Sequence, residues 1–586
     1  LSLNVEPDAP ADEQGRTWGV LSAKELLACS WSVAVAGQEF SIDQFRALAE
    51  NAGPLAKVGE TWVELDPGKV NSTVQFLANQ AGTTSVTLLE ALRLGFGLDG
   101  ENDLLPIVDF KANGWLQQLL DSSRDSLPKA EVPEGFKGEL RPYQQEGLAW
   151  LVFLAGVGVG GCLADDMGLG KTVQLLALME YEREQARRAE RPKPPQTLLI
   201  VPMSTLDNWE QESKKFTPDI SIYMHHGTTR LAGEAFRQAV EKADLVLTTY
   251  SLAFRDELLF GSVAWGRIAL DEAQNIKNQD AKQTKAIRAL ENCQRLALTG
   301  TPLENHLDEL WSIFDFLNPG FLGSIKEFRT RFAVPIERYQ DEEATKNLSS
   351  LIQPFLLRRL KSDPTIISDL PDKIEMTINT TLTEEQSILY RTVLDDMIPR
   401  FDKAQGIQRK GLVLATITRL KQICNHPALY LGEKDSLGGR SAKLNRLEEI
   451  LDIVLAEGDK ALIFTQYAQM GHLLAPHLRQ RFDKEVLFLH GGLPKKARDK
   501  LVNRFKEKDG PQIFILSLKA GGFGLNLTEA NQVIHYDQWW NPAVQEQATD
   551  RAYRIGQTSN VQVRTFVTSG TLEERINEML QRKREL

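Results

Sequence analysis

Between residues 160 and 540 the chain repeats one design: a short unbroken apolar run, a small or polar residue that ends it, then a stretch with apolar positions at helical spacing. Runs beginning at Gly161, Thr197, Asp244, Ile268 and Arg295 form one group, and those at Lys460, Val486, Ile513 and Val533 form a second. Runs that stay apolar without period-two alternation predict strands covered on both faces. Strands alternating with helices predict parallel sheets. The pattern therefore predicts an α/β protein with two parallel-sheet lobes. The first 130 residues read differently, as a small α+β unit. Trp31 to Val35 suits a strand, and Ser41 with Gln44 makes a capping box for a helix through Leu48. Residues 56–65 alternate like a hairpin, and helical patches follow near Val70–Ala78 and Val86–Leu94. Trp31 and Trp62 read as packing residues, with a binding platform as the alternative. A Ser-, Pro- and charge-rich linker from Asp121 to Lys137 separates this unit from the rest.

With 586 residues the chain needs several cores, and its 42% hydrophobic and 25% charged content is that of an ordinary globular protein. No apolar run reaches the roughly 20 residues of a membrane span. Cys29, Cys162, Cys293 and Cys424 are isolated, which argues against disulfides or a zinc knuckle and for a reducing, cytoplasmic setting. Net charge is −11, but a basic groove can sit on an acidic body, so the sign excludes little.

Chemistry enters at residues 161–174. Apolar residues lead into Asp165, Asp166, Met167, Gly168, Leu169 and Gly170, and then Lys171 and Thr172 open a helix-forming run. A glycine loop before a helix N-terminus gathers backbone N–H groups and the helix dipole around an anion. Lys171 would reach the terminal phosphates of a nucleotide and Thr172 would ligate magnesium. Asp165 occupies the usual first glycine position of such a loop. Upstream, Pro142 starts a helix in which Gln144 could bond an adenine edge while Tyr143 or Arg141 covers its face. Downstream, the run from Ile268 ends in Asp271 and Glu272, a magnesium ligand and a general base for water. The run from Arg295 ends in Thr299, Gly300 and Thr301, suited to sensing the γ-phosphate. Ser204, Asn208, Thr248 and Thr249 follow other strands, where they could hold a nucleic-acid backbone or merely cap turns.

The stretches Leu140–Gln144, Asp165–Thr172, Pro202–Trp209, Asp271–Gln274 and Leu298–Asn305 together resemble helicase superfamily two, and within it the SWI/SNF-type DNA-translocating ATPases. The stretches Pro354–Lys361, Leu370–Lys373 and Lys421–Pro427 are similar to segments particular to that family. Gln274 stands where the family most often has histidine. The resemblance covers the chain from about residue 135 onward. It implies RecA-like lobes with helical protrusions at about 303–352 and 380–431. The expected domains are an accessory unit at 1–130, a first lobe at 131–352, and a second lobe with a C-terminal helix at 353–586. It implies that Arg358 and Arg359 lie on a basic brace coupling the lobes. In the second lobe, Gly522 and Gly524 lie in a glycine loop, and Gln466, Ser517 and Lys519 would face nucleic acid. Gln547, Arg551 and Arg554 complete the nucleotide set, the two arginines sharing one helix face as fingers for the transition state.

The resulting expectation is an ATP- and Mg²⁺-dependent translocase on double-stranded DNA. The resemblance points to a bacterial, nucleoid-associated monomer that displaces a DNA-bound complex such as RNA polymerase. A strand-separating DNA or RNA helicase is the alternative within the superfamily. A non-catalytic scaffold clamped by nucleotide is the alternative outside it.

Overall fold

The chain is seen in a computed structural model describing residues 2–6, 26–35, 38–51, 55–58, 61–64, 66–80, 85–96, 98, 109–112, 114–120, 127 and 129–585, the last range without 229, 304–305, 368, 404, 434–436 and 519–524. It divides into two compact units, Leu1–Asp166 with Gly170–Lys361, and Met167–Leu169 with Ser362–Leu586. The expected border between residues 352 and 353 falls inside the first unit.

The first unit is built on a seven-stranded sheet in the order Ile222–Met224, Leu245–Thr249, Thr197–Val201, Trp265–Asp271, Asn292–Leu298, Gly161–Leu163, Leu356–Leu357. Every neighbouring pair is parallel. Successive residues of these strands feed opposite faces. Leu199, Val201, Leu247 and Leu298 join one core, while Leu198, Ile200, Val246 and Leu270 join the other. Continuous apolar runs are what such a twice-covered strand requires. The helix Leu307–Leu317 and further helices through Glu342–Ile352 follow the last long strand. The stripe read at helical spacing, Leu307, Leu310, Trp311, Phe314 and Leu317, is buried.

The N-terminal part of this unit carries its own mixed sheet, ordered Gln38–Phe40, Leu26–Val35, Ser2–Glu6, Asp109–Ala112, with Ser85–Thr87 also pairing Leu26–Val35. The Ser41 capping box forms: Ser41 N–H donates to Gln44 Oε1 at 2.9 Å, and Gln44 N–H returns to Ser41 Oγ at 3.3 Å. The hairpin Leu55–Val58/Thr61–Glu64 is antiparallel. Trp62 corrects the packing expectation: it is 65% exposed, on a two-stranded ribbon with no layer over that face among the described residues. Leu88, Leu92, Leu116 and Leu119 merge with Phe321, Phe328 and Phe332 in one core, so the N-terminal unit is seated on the first helical protrusion. Arg93 donates to the Gly320 and Phe321 carbonyls, and Arg331 to that of Leu98.

The second unit has a six-stranded parallel sheet, ordered Lys373–Thr380, Val561–Thr568, Gln532–His535, Ala461–Thr465, Ile513–Ser517, Val486–Leu489. The helices Glu384–Lys403 and Gly406–Asn425 form its protrusion, joined where Gln386 Nε2 donates to the Ile423 and Cys424 carbonyls. Both units thus have the RecA-like parallel-sheet form. Among the described residues, no helix is long and apolar enough to cross a membrane.

Candidate nucleotide and nucleic-acid sites

In the first unit the strands ending at Leu163, Leu298 and Asp271 are adjacent in the sheet, so their carboxyl ends bring the glycine loop, Thr299–Thr301 and Asp271–Glu272 to one edge. Ligands collect at that edge in open α/β sheets. Gly168 (φ 87°) and Gly170 (φ 82°) turn the loop through the left-handed region, where a side chain is strained. Gly170 also leaves space for Gln144, whose Nε2 would lie 2.5 Å from a Cβ there. The helix Lys171–Arg188 follows, and Gly170 gives it no side-chain cap. Its first N–H groups are the orphan donors that bind anions at helix starts. Lys171 Nζ donates to the Asp165 and Asp166 carbonyls at 2.5 and 3.3 Å. Thr172 is the second residue of the helix and part-exposed.

Asp165 explains its place where a glycine is usual. Its carboxylate is fully buried and takes Arg359 Nε at 2.9 Å, Arg359 Nη2 at 2.5 Å and Gln174 Nε2 at 3.2 Å. Arg359 also donates to Gln174 Oε1 at 2.8 Å and to the Tyr143 carbonyl, with its guanidinium 5.0 Å above the Tyr143 ring. Gly147 makes the room, since a Cβ would fall 1.8 Å from Gln174 Oε1. Arg359 is therefore an interior residue of the loop's support. Arg358 remains exposed, and the backbone of Lys361 donates to Asp166 at 2.9 Å. Gln144 is buried, its Oε1 accepting the Arg141 N–H at 2.9 Å to close the helix Pro142–Val157.

Glu272 has φ 50° and ψ 57°, a left-handed conformation uncommon for any residue but glycine. Such strain persists where the surroundings hold it, and often marks a working site. Gln274 Nε2 donates to Glu272 Oε2 at 2.8 Å, Thr299 Oγ1 donates to Gln274 Oε1 at 2.8 Å, and Thr301 N–H reaches Thr299 Oγ1 at 3.1 Å. The glutamine at the usual histidine position thus bridges the two strand ends. Enclosure and the neighbouring Glu272 charge push the Asp271 carboxyl above the usual carboxylate range, against the Trp209 N–H, which donates to it at 2.7 Å, and the Lys171 charge. Two carboxylates beside one ammonium suit a divalent cation. Among the described residues no cluster of three His, Cys, Asp or Glu forms a self-sufficient metal site. One carboxylate and a hydroxyl beside a phosphate loop fit magnesium, which keeps its waters and shares phosphate oxygens.

Several expected nucleic-acid contacts are placed otherwise. Thr248 is fully buried and its hydroxyl donates to the His225 carbonyl, and Thr249 caps the next helix at the Leu252 N–H. Thr248 is a buried strand residue and Thr249 a helix cap, which corrects the phosphate-contact expectation. Ser204 and Asn208 are part-exposed at the start of the helix Leu206–Phe216. In the second unit Ser517 is buried, while Gln466 is part-exposed with Oε1 taking the Lys421 ammonium at 3.0 Å. Lys519, Gly522 and Gly524 lie outside the described residues. Gln547 lies on the helix Pro542–Thr549. That helix stops before Arg551 and Arg554, correcting their expected shared helix face. The Arg551 carbonyl is taken by the Leu527 N–H at 2.9 Å and that of Ala552 by Gln557 Nε2 at 3.0 Å, so the helical acceptors are diverted. Arg551 is buried and Arg554 part-exposed.

A parallel sheet with a phosphate loop and a carboxylate pair at one edge defines a P-loop nucleotide-binding protein. The sequence matches the SNF2-related domain over residues 143–429, the Helicase conserved C-terminal domain over 442–556, and a segment described as SNF2 Helicase protein over 1–96. The chain belongs to the SWI/SNF-type family of helicase superfamily two. It is 44% identical to YwqA of Bacillus subtilis (strain 168), carried under the name of an ATP-dependent helicase/translocase, over 100% of this chain and 64% of that one. It is 33% identical to the ISWI chromatin-remodeling complex ATPase ISW2 of Saccharomyces cerevisiae, over 80% of this chain and 42% of that one. The chain thus spans less than two thirds of these relatives. Among solved structures, the Sulfolobus solfataricus SWI2/SNF2 ATPase core in complex with dsDNA is 44% identical, covering 78% of this chain and 94% of that one, with a TM-score of 0.41.

Proposed function

We propose that the chain hydrolyses ATP in response to double-stranded DNA and moves along the duplex, displacing proteins bound to it. The observation that carries this reading is the strained Glu272, hydrogen-bonded through Gln274 to Thr299 at the edge that also holds the Lys171 loop. Magnesium-bound ATP supplies the bond to be broken. Lys171, Thr172, the N–H groups after Gly168 and Gly170, and the loop residues Met167 and Leu169 hold its phosphates. Arg141 and Gln144 flank the base. Thr172 and Asp271 would hold the magnesium, which would offset phosphate charge. Glu272 takes the proton of the attacking water, and Thr299, Gly300 and Thr301 register loss of the γ-phosphate. Gln547, Gly522 and Gly524 contribute to nucleotide binding, and Arg551 and Arg554 stabilise charge on the transferring group. Ser204, Asn208, Gln466 and Lys519 grip DNA phosphates without reading bases. Arg358 and Arg359 couple hydrolysis to movement. Kinship with YwqA supports a bacterial setting. RNA polymerase among the obstacles, and a monomer as the working form, are part of the proposal.

The test pairs two substrates under ATP: release of a third strand from a triplex on a long duplex, and unwinding of a tailed duplex. Third-strand release without unwinding supports the reading. Efficient unwinding favours a strand-separating helicase, and neither product excludes a motor.

A further inference from the structure

We infer that Trp209, next to Asn208 on the nucleic-acid face, passes occupancy of that face to Asp271, and that Tyr250 holds the strained Glu272 turn on which this coupling acts, both as positioning residues; the inference rests on the function proposed above. The strand Thr197–Val201 lies between Leu245–Thr249 and Trp265–Asp271, with Val201 beside Thr249 and Ile200 beside Leu270. The turns leaving the first two strands both reach across to the end of the third. Trp209 directly follows Asn208 on the helix Leu206–Phe216, and its ring is buried. Its indole N–H donates to Asp271 Oδ2 at 2.7 Å, while Asp271 Oδ1 takes the Glu272 N–H at 3.0 Å. Both oxygens of the carboxylate are therefore oriented by donors.

Tyr250 opens the helix that Thr249 caps. Its hydroxyl donates to the Asp271 carbonyl at 2.7 Å and approaches the Glu272 carbonyl at 3.4 Å. It thus braces the backbone at the residue with φ 50°. One side chain fixes the carboxylate and the other fixes the strained turn. Each stands on a helix leaving a different strand end, and Met203, 71% exposed, lies in the turn before the Trp209 helix and faces solvent. An indole has only two side-chain torsions, so a shift of the turn at 202–205 and of the helix start after it is transmitted to the carboxylate with little slack.

Trp209→Phe and Tyr250→Phe in the full chain remove the donors and keep the rings. Three quantities are measured: the affinity of fluorescently labelled duplex DNA, the affinity of a non-hydrolysable magnesium–nucleotide analogue with and without that duplex, and ATP turnover with and without it. Linkage requires that DNA strengthen nucleotide binding by the same factor that nucleotide strengthens DNA binding, a factor of about 5–150 in coupled systems. In each variant this factor is expected to fall towards one, with duplex affinity in the absence of nucleotide unchanged within about 3-fold. DNA-stimulated turnover is expected to fall about 10–100-fold, the usual cost of losing a partner behind a metal ligand. A merely structural role would weaken both separate affinities or the melting temperature and leave the coupling factor intact, and that result overturns the inference. Equal DNA response in parent and both variants also overturns it. A parent chain with no response to DNA overturns it together with the proposed function.

Discussion

Replacing Arg359 tests the support beneath the glycine loop. Arg359→Met keeps length and apolar bulk but removes every guanidinium donor, two of them on Asp165 and one each on Gln174 and Tyr143. The pair is interior, with side-chain exposures of 6% and 0%, so solvent screens little of the loss. Removing one partner of a buried pair costs about 3–5 kcal/mol, because the other charge is left uncompensated. At about 2 °C per kcal/mol, the first unit's thermal transition should fall by about 6–10 °C. The sign of a second change is more telling. Adding Asp165→Asn removes the stranded carboxylate, so the double variant should melt above Arg359→Met alone. Differential scanning calorimetry of the full chain reads both shifts. A drop under about 2 °C in the single variant, or a further drop in the double, would refute the reasoning.

Other outcomes follow from the same geometry. Glu272→Gln should abolish ATP turnover while retaining nucleotide binding, measured by steady-state kinetics and fluorescent-nucleotide titration, and normal turnover would remove Glu272 as the base. Lys171→Ala should lose both turnover and nucleotide affinity in those assays. His426 is held neutral: its Nδ1 accepts the Ala428 N–H and its Nε2–H donates to the Leu437 carbonyl, both at 3.0 Å, and burial holds its pKa below the usual value. The unfolded imidazole gains a proton near its ordinary pKa while the folded one does not. The associated stability is therefore complete above that pH and lost as pH falls below it, by at most about 1.4 kcal/mol per unit. Asparagine caps helices without titrating, so His426→Asn should flatten the loss seen in denaturant unfolding between pH 7.5 and 5, and parallel curves would contradict the assignment. Duplex affinity should fall linearly in log–log against salt as phosphate contacts displace counterions, and a flat anisotropy series would argue against a backbone-tracking surface.

The sheets were readable because their inner strands are buried on both faces, as Thr197–Val201 and Ile513–Ser517 are throughout. Lys373–Thr380 escaped notice as an edge strand exposed along most of its length, and the inner strand Val561–Thr568 did so because polar residues interrupt its apolar run. The loop, Asp271 and Glu272 could be placed at strand ends from the order in which apolar runs, glycines and acids follow one another, not from any one stretch alone. Arg359 was not, because its partner Asp165 lies 194 residues away and nothing in a run of basic residues shows which one turns inward. Thr248 and Thr249 share the hydroxyl chemistry of phosphate ligands and of helix caps, and only the fold separates the two. For Arg551 and Arg554 the three-residue spacing fits a helix, but the Leu527 N–H takes the Arg551 carbonyl and the nearby Gln557 side chain takes that of Ala552, where helical bonds would run. Trp209 closed a stretch that carries the family resemblance, but neither it nor Tyr250 showed a role, since their polar atoms act across neighbouring strands.

The most direct measurement is the steady-state ATP turnover of this chain with magnesium and, in parallel, with duplex DNA, single-stranded DNA, RNA or no nucleic acid. Turnover raised most strongly by the duplex is the expected result. Turnover indifferent to all four conditions, or stimulated by RNA alone, would contradict a duplex-driven motor.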